Sequence, residues 1–288
     1  MGAKILVPIL EPRHVHEYHP YLPAWFLLLA SWILCALAMG VLWARQLRTR
    51  NATSVDAAWS ALIGICGGGM ALLAEGSPVQ RGVAAAVALG WSARLTFHLL
   101  RDRVFGHAEE DGRYRAMRDH WGASAGLHFA WFYQAQALAA LAFSLPFLLA
   151  ANNPEPQLAT VQWLGIGLAV FAVLGEGLAD RQLAAHRNDP TKRGLACRSG
   201  LWRYSRHPNY FCEWLVWCGI AMLCWPAPQG AWGLLAPAVM FVLVRFVTGV
   251  PYAELRSLKS RGDDFRRYMT ETNTFVPWFP RLPKAGAS

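Results

Sequence analysis

Charge is scarce in this chain. Asp, Glu, Lys and Arg make up 16% of its 288 residues, against 55% hydrophobic ones, too little to cover a water-soluble domain of this size. C-x-x-C pairs are absent among Cys35, Cys66, Cys197, Cys212, Cys218 and Cys224, five of which lie in apolar surroundings. That excludes a disulfide frame and a zinc site, and free buried thiols are expected. G-x-G-x-x-G and Walker loops are missing too, so neither a Rossmann nor a P-loop nucleotide site is on offer. Internal repeats and low-complexity tracts are also lacking. Acidic residues are outnumbered 18 to 27 by Lys and Arg, but the cations fall between apolar runs and not on one amphipathic face. This pattern orients a chain in a bilayer and argues against a nucleic-acid partner.

What is present is a series of long apolar runs. Fourteen Trp and twenty-five Gly suit membrane interfaces and close helix packing. Seven segments approach the roughly twenty residues that span a bilayer: about Tyr21–Trp43, Ala57–Ala74, Gly82–Leu100, Phe129–Ala151, Thr160–Ala179, Tyr210–Pro226 and Gly230–Val250. The chain is therefore expected to be an all-α, multi-pass integral membrane protein of one domain, 1–288. Ala36-Leu37-Ala38 resembles a signal-peptide cleavage site, but a polar stretch of about twenty residues precedes the apolar run, which continues to Trp43; a retained first helix is the better reading. That polar stretch holds His14, His16 and His19 beside Glu11 and Glu17, read as a solvated interfacial tail and not as a metal site.

Cations alternate between the connections. Three lie at Arg45, Arg48 and Arg50, five between Arg101 and His128, seven between Asp180 and Asn209, and seven after Val250; the intervening connections hold Arg81 or none. By the positive-inside rule this places the N-terminus outside and the C-terminus in the cytosol. Asp56, Arg94, His98, Glu176, Asp180, Glu213 and Arg245 then fall in the cytosolic half of different spans. Buried carboxylates are costly without partners, so a polar cavity opening to the cytosol is expected there.

Gly200-Leu-Trp-Arg-Tyr-Ser-Arg-His-Pro-Asn-Tyr-Phe-Cys-Glu213 is the most informative stretch. Pro208 suits a first helical turn. With Arg203, Arg206 and His207 ahead of it, the free N–H groups of that helix make an anion site. Glu176 and Asp180, four apart, form one stripe with Arg187 if their helix continues, and Asn209 and Glu213 form a matching stripe across the loop. That loop adds Arg181, Lys192, Arg193 and Arg198. Guanidinium donors for phosphates beside carboxylates for hydroxyl or amide groups suit a nucleotide cofactor.

These residues resemble the signature of the steroid 5α-reductase C-terminal-domain family, in its bacterial branch of uncharacterised membrane proteins. The resemblance continues in Asn51-x-x-Ser54-Val-Asp56-x-x-Trp59, Trp91-x-x-Arg94-Leu, Glu110-Asp111-x-Arg113-Tyr114 and Glu176-x-x-x-Asp180-x-Gln182. It closes with Tyr268 through Asn273-x-Phe275-Val-Pro277-Trp278, so it spans about residues 50 to 280. It implies a seven-helix reductase in which NADPH transfers hydride to a carbon–carbon double bond conjugated to a carbonyl, in a steroid or other lipid. In a bacterium such a protein belongs in the inner membrane. By the same resemblance the cofactor half is about residues 160–280. Glu176 stands where the family has an Asn, and Asp180 and Arg187 match at the family's spacing. Asn209 and Glu213 match cofactor-amide contacts, and Arg113 matches a loop Arg that reaches the phosphates. Tyr210, Tyr268 and Asn273 sit within the matched motifs. Asp56 stands near a substrate-orienting acid. Where the family places a Tyr beside the third-span Arg, this chain has Trp91 ahead of Arg94, and indole donates a hydrogen bond but no proton. Asp56, His98 and Tyr133 are the candidates to act as donor instead.

Two other readings share some of these residues. Arg-His-Pro-x-Tyr is also found in membrane methyltransferases resembling the isoprenylcysteine carboxyl methyltransferase, where it helps bind S-adenosylmethionine. A non-catalytic lipid-binding membrane protein would keep the same spans. Gly67, Gly68 and Gly69 make room for a ligand or, as the better reading, for helix contact.

Overall fold

The computed structural model describes residues 22–105 and 109–281. The expectations for Glu11, His14, His16, Glu17 and His19 lie outside the described residues. Among the described residues the chain is all-α: α1 (Ala24–Thr49), α2 (Val55–Leu73), α3 (Pro78–Leu99), α4 (Gly112–Trp121), α5 (Ala125–Ala151), α6 (Thr160–Asn188), α7 (Pro208–Cys224), α8 (Leu235–Val242) and α9 (Val250–Glu271). Capping explains several starts. The Ser77 hydroxyl accepts from Gln80 N ahead of Pro78, and Asp111 accepts from Arg113 N, satisfying N–H groups that the first turn leaves free. Pro208 opens α7 as its ring geometry favours.

Six helical stretches are long and apolar enough to cross a membrane: Ala24–Thr49, Val55–Leu73, Pro78–Val104, Gly112–Ala151, Thr160–Asn188 and Gly230–Glu271. Outward-facing Trp25, Val41, Trp131 and Phe171 are all well exposed, as suits a surface solvated by lipid. The expected span at Tyr210–Pro226 is α7, with 17 residues. At 1.5 Å per residue it is about 26 Å long, short of a hydrocarbon core of roughly 30 Å. The last expected span is not one regular helix. A tight turn at Gly230–Leu234, α8, and a widened turn at Leu243–Val247 succeed one another, and the chain breaks at Gly249 before the polar α9.

The helices run up and down, so the Arg-rich connections gather at one end. There Ala52 N donates to Glu110 Oε1 at 2.8 Å and Asp111 N to Thr53 Oγ1 at 2.8 Å. At the opposite end Gln80 and Gln162 are buried together. Gln162 Nε2 donates to Gln80 Oε1 at 2.7 Å and to Leu223 O at 3.0 Å, which satisfies both amides and ties α3, α6 and α7.

Packing divides the bundle in two. α2 lies against α3 and α5, and α1 against α5, while α6 and α7 form a second unit reached from α5. Gly165 and Gly219 set the α6–α7 approach: a Cβ on either would come within 2.6 Å of the other's carbonyl oxygen. The Gly67–Gly69 run is mostly helix contact. A Cβ at Gly67 would strike Phe147 and one at Gly68 would strike Leu89, while Gly69 faces open space. Trp217 closes the seam between the units, its ring 5.0 Å from Trp91 and 4.7 Å from Phe143.

Candidate active site

α6 continues unbroken through Glu176, Asp180 and Arg187, as the stripe requires. It meets α3 at the Arg-rich end of the seam. Arg94 Nη1 lies 2.5 Å from Glu176 Oε2 and Nη2 lies 3.0 Å from Asp180 Oδ2. His98, one turn further along α3, places Nε2 3.5 Å from the same Asp180 oxygen. Asn209 Nδ2, in the first turn of α7, donates to Asp180 Oδ1 at 3.2 Å. Glu213, the next turn, accepts from Trp91 Nε1 at 3.2 Å and from Trp217 Nε1 at 2.9 Å. Three carboxylates therefore face one guanidinium, one imidazole and two indoles, each drawn from a different turn of α3, α6 and α7. Long side chains, and not close backbone packing, bridge α3 to α6.

One polar atom in this network has nothing to bind. Asn209 Oδ1 is buried and accepts no hydrogen bond among the described residues. Its Nδ2 is taken by Asp180, which as an acceptor fixes the orientation of the amide. The site thus presents a free carbonyl acceptor beside a carboxylate, the complement of a primary amide's N–H.

The second cluster gathers Asp56 and Arg113, which the sequence alone assigned to separate roles. Asp56 Oδ2 receives Arg113 Nη2 at 2.5 Å and Arg103 Nη1 at 2.9 Å, while Oδ1 receives the Tyr114 hydroxyl. Arg113 Nε also bonds Asp111 Oδ1 at 3.2 Å. Burial works against the Asp111 charge, but the Arg113 guanidinium and backbone N–H hold its carboxyl below the usual range. Asp56 is therefore the anchor of the segment carrying α4, with three donors already on it.

Several residues expected at the cofactor are built into the scaffold. The buried Arg206 donates to Glu254 Oε1 at 2.7 Å, Met269 O at 3.0 Å, Thr272 O at 2.5 Å and Thr274 Oγ1 at 2.7 Å. His207 lies 3.4 Å from Glu254 and stacks on Tyr210 at 5.4 Å. Burial holds its imidazole below its usual value, against the pull of Glu254. The Tyr268 hydroxyl donates to Trp202 O, and Asn273 O accepts from Arg206 N at 2.9 Å. Together they pin α9 and the tail to the start of α7. Arg187, Arg193 and Arg203 are exposed at the same end, with no ion pair among the described residues. Tyr133 is fully buried in α5, away from the Arg94 network.

A cavity of about 400 Å³ lies at the Arg-rich end, lined by Leu47, Arg50, Arg118, Gly122, Ala123, Ala125 and Gly126, and another of about 410 Å³ at the opposite end around Leu22, Glu75 and Asn152. Among the described residues no group of three or more His, Cys, Asp or Glu could hold a metal. Trp217, one helical turn from Glu213, carried a spacing signal that could have found it, whereas Arg103 and Glu254 lie 47 and 48 positions from their partners, with no local pattern to mark them.

Comparisons with known proteins agree with the membrane architecture. A Schizosaccharomyces pombe protein described as "Uncharacterized protein C594.04c" is 29% identical over 212 residues, covering 64% of this chain and 61% of that protein. The chain thus spans less than two thirds of its relative's length. No solved structure matches. The model of the family described as "Protein of unknown function (DUF1295)" matches residues 42–272, and the chain belongs to that family, itself related to steroid 5α-reductase-like membrane proteins.

Proposed function

We propose that this protein is an NADPH-dependent membrane reductase that delivers hydride to a carbon–carbon double bond conjugated to a carbonyl, in a steroid or other lipid. The observation that carries this reading is the union of Arg94, Asp180 and Asn209 from three helices, with the Asn209 carbonyl left free. The residues present suit the cofactor. Asn209 Oδ1 can accept from a carboxamide N–H, and Arg187 lies about 10 Å further along α6 from Asp180, with Arg193 and Arg203 unpaired nearby for phosphates. When bound, the dinucleotide supplies the hydride. The chain's own task is to orient the two partners and to receive the negative charge that develops on the acceptor's carbonyl oxygen. His98, beside Asp180 and partly exposed, is placed to move a proton.

The reading includes a seventh crossing by α7 and a cytosolic Arg-rich end. Two observations support it: α7 starts beside Asp180 at that end and finishes where Gln162 holds Leu223 O at the other. A reporter that fluoresces only in the cytosol, fused after residue 281, should fluoresce, whereas one active only outside should be silent. The reverse result sinks this topology.

The function itself is tested by thermal denaturation of the detergent-purified protein with NADPH, NADH or S-adenosylmethionine. A ligand at one hundred times its Kd should stabilise by about 2.7 kcal/mol. NADPH should raise the midpoint, and Arg187→Ala and Asn209→Ala should each abolish the rise. A rise with S-adenosylmethionine alone would overturn the reductase in favour of a methyltransferase, and no response to any of the three would favour a lipid-binding role.

A further inference from the structure

Two of the free thiols touch, and no other two cysteines do among the described residues. Cys35 Sγ on α1 and Cys66 Sγ on α2 lie 3.5 Å apart although 31 positions separate them in the chain, so no local pattern marks the pair. Cys35 is 0% exposed and Cys66 3%. Elsewhere thiols have other neighbours: Cys224 Sγ donates to Pro146 O at 3.0 Å, Cys197 Sγ faces the Ser199 hydroxyl at 3.7 Å, and Cys212 lies against Gly175 of α6. Cys66 Sγ also lies 3.9 Å from Ser31 O. Ties from α1 to α5 are of another kind, since Gln134 Nε2 donates to Ala36 O at 3.3 Å and Trp43 Nε1 to Gly126 O at 2.9 Å. Within the span, α1 therefore meets α2 through sulfur.

The chain beside the pair faces outward. Leu34 and Leu37 on α1 and Ile65 on α2 are exposed, so the sulfurs lie one side chain behind a surface solvated by acyl chains. An apolar oxidant concentrates there and a water-soluble one does not. Two neutral thiols and a disulfide are both uncharged, so oxidation brings no charge into the apolar seam, whereas a thiolate–metal centre would. Whichever thiol donates to the other gains thiolate character at its sulfur, the form that attacks.

We propose that Cys35 and Cys66 form an oxidisable dithiol, a modification site at which an organic hydroperoxide dissolved in the acyl region cross-links α1 to α2. The first sulfur attacks the terminal peroxide oxygen. An S–O bond forms, the O–O bond breaks and the thiol proton passes to the leaving alkoxide, giving a sulfenic acid and an alcohol. The second sulfur, already in contact, displaces the hydroxyl. The S–S bond forms, the S–O bond breaks and the second thiol proton leaves with the hydroxide as water. The dithiol gives up two electrons and the hydroperoxide accepts them. A resolving thiol at contact distance stops oxidation at the disulfide, which a thiol reductant reverses. The cross-link staples the lipid-facing α1 to the bundle and restrains the unfolded chain. This site does not rest on the reductase reading.

The test uses the full chain in phospholipid vesicles, treated with cumene hydroperoxide or with hydrogen peroxide at the same concentration. Free thiols are then alkylated in denaturant and the peptides identified by mass spectrometry. A disulfide peptide joining Cys35 to Cys66 is expected, formed faster with cumene hydroperoxide, while the other four cysteines are alkylated. In detergent, the oxidised wild type should melt above the reduced protein and return to its midpoint on adding a thiol reductant. Cys35→Ala and Cys66→Ala, each replacing a small apolar side chain by another, should show neither cross-link nor shift. Met39 and Met70, buried one turn from Cys35 and Cys66, report whether oxidant arrived. Sulfoxide at either methionine with all six thiols still alkylated would overturn the site. So would a disulfide between other cysteines, sulfinic acid at Cys35 or Cys66, or equal rates with the two peroxides.

Discussion

Arg94→Ala is expected to destabilise the protein by about 3–5 kcal/mol, the range for removing one partner of a buried ionic group. Glu176 is 6% exposed and would lose the guanidinium 2.5 Å away, and Asp180 would keep only Asn209 and His98. Lost attraction is the smaller part of the cost. The larger part is the desolvation of carboxylates that water can no longer reach and nothing neutralises. Glu176→Gln added to Arg94→Ala removes one of the stranded charges and should recover part of the loss. The check is the thermal midpoint of each protein in detergent. A single variant as stable as wild type, or a double variant worse than the single, would show that the network does not carry the seam between α3 and α6.

Arg206→Ala is expected to cost a comparable amount and to act at a different place. Its side chain, 7% exposed, joins Glu254, two backbone carbonyls and Thr274. Alanine would leave Met269 O and Thr272 O without that donor and Glu254 with only His207. The tail after residue 272 should then detach, exposing Phe275, which otherwise packs on Phe211, Trp214 and Phe241. Limited chymotrypsin digestion should cut Arg206→Ala at Phe275 or Trp278 well before it cuts wild type. Arg206→Lys should be intermediate, because a single ammonium cannot reproduce a planar fork reaching four acceptors. Equal digestion rates for all three proteins would remove the tail-holding role.

Some of this arrangement was legible in the residues. Apolar runs of near-bilayer length and cations on alternate connections foretell an up-and-down bundle with one basic end, because hydrocarbon tolerates neither free backbone groups nor bare charge. The i, i+4 spacing of Glu176 and Asp180, and of Asn209 and Glu213, foretells two stripes meeting across one loop, since a helix repeats every 3.6 residues. Pro208 marks the start of α7 for a local reason.

Which charge meets which was decided by the tertiary structure alone. Arg206 and His207 look like anion binders beside a helix start, yet they face Glu254, 48 and 47 positions later. Arg113 looks like a free phosphate ligand, yet it closes on Asp56. An arginine's local sequence is the same whether its partner is a ligand or a distant carboxylate, and only packing brings the carboxylate within 3 Å. The sequence by itself determined the helices, their apolar faces and the basic end, because those depend on period and composition. The tertiary structure decided which polar groups are satisfied and which, at Asn209, Gln46 and Tyr133, are buried with an atom unpartnered among the described residues.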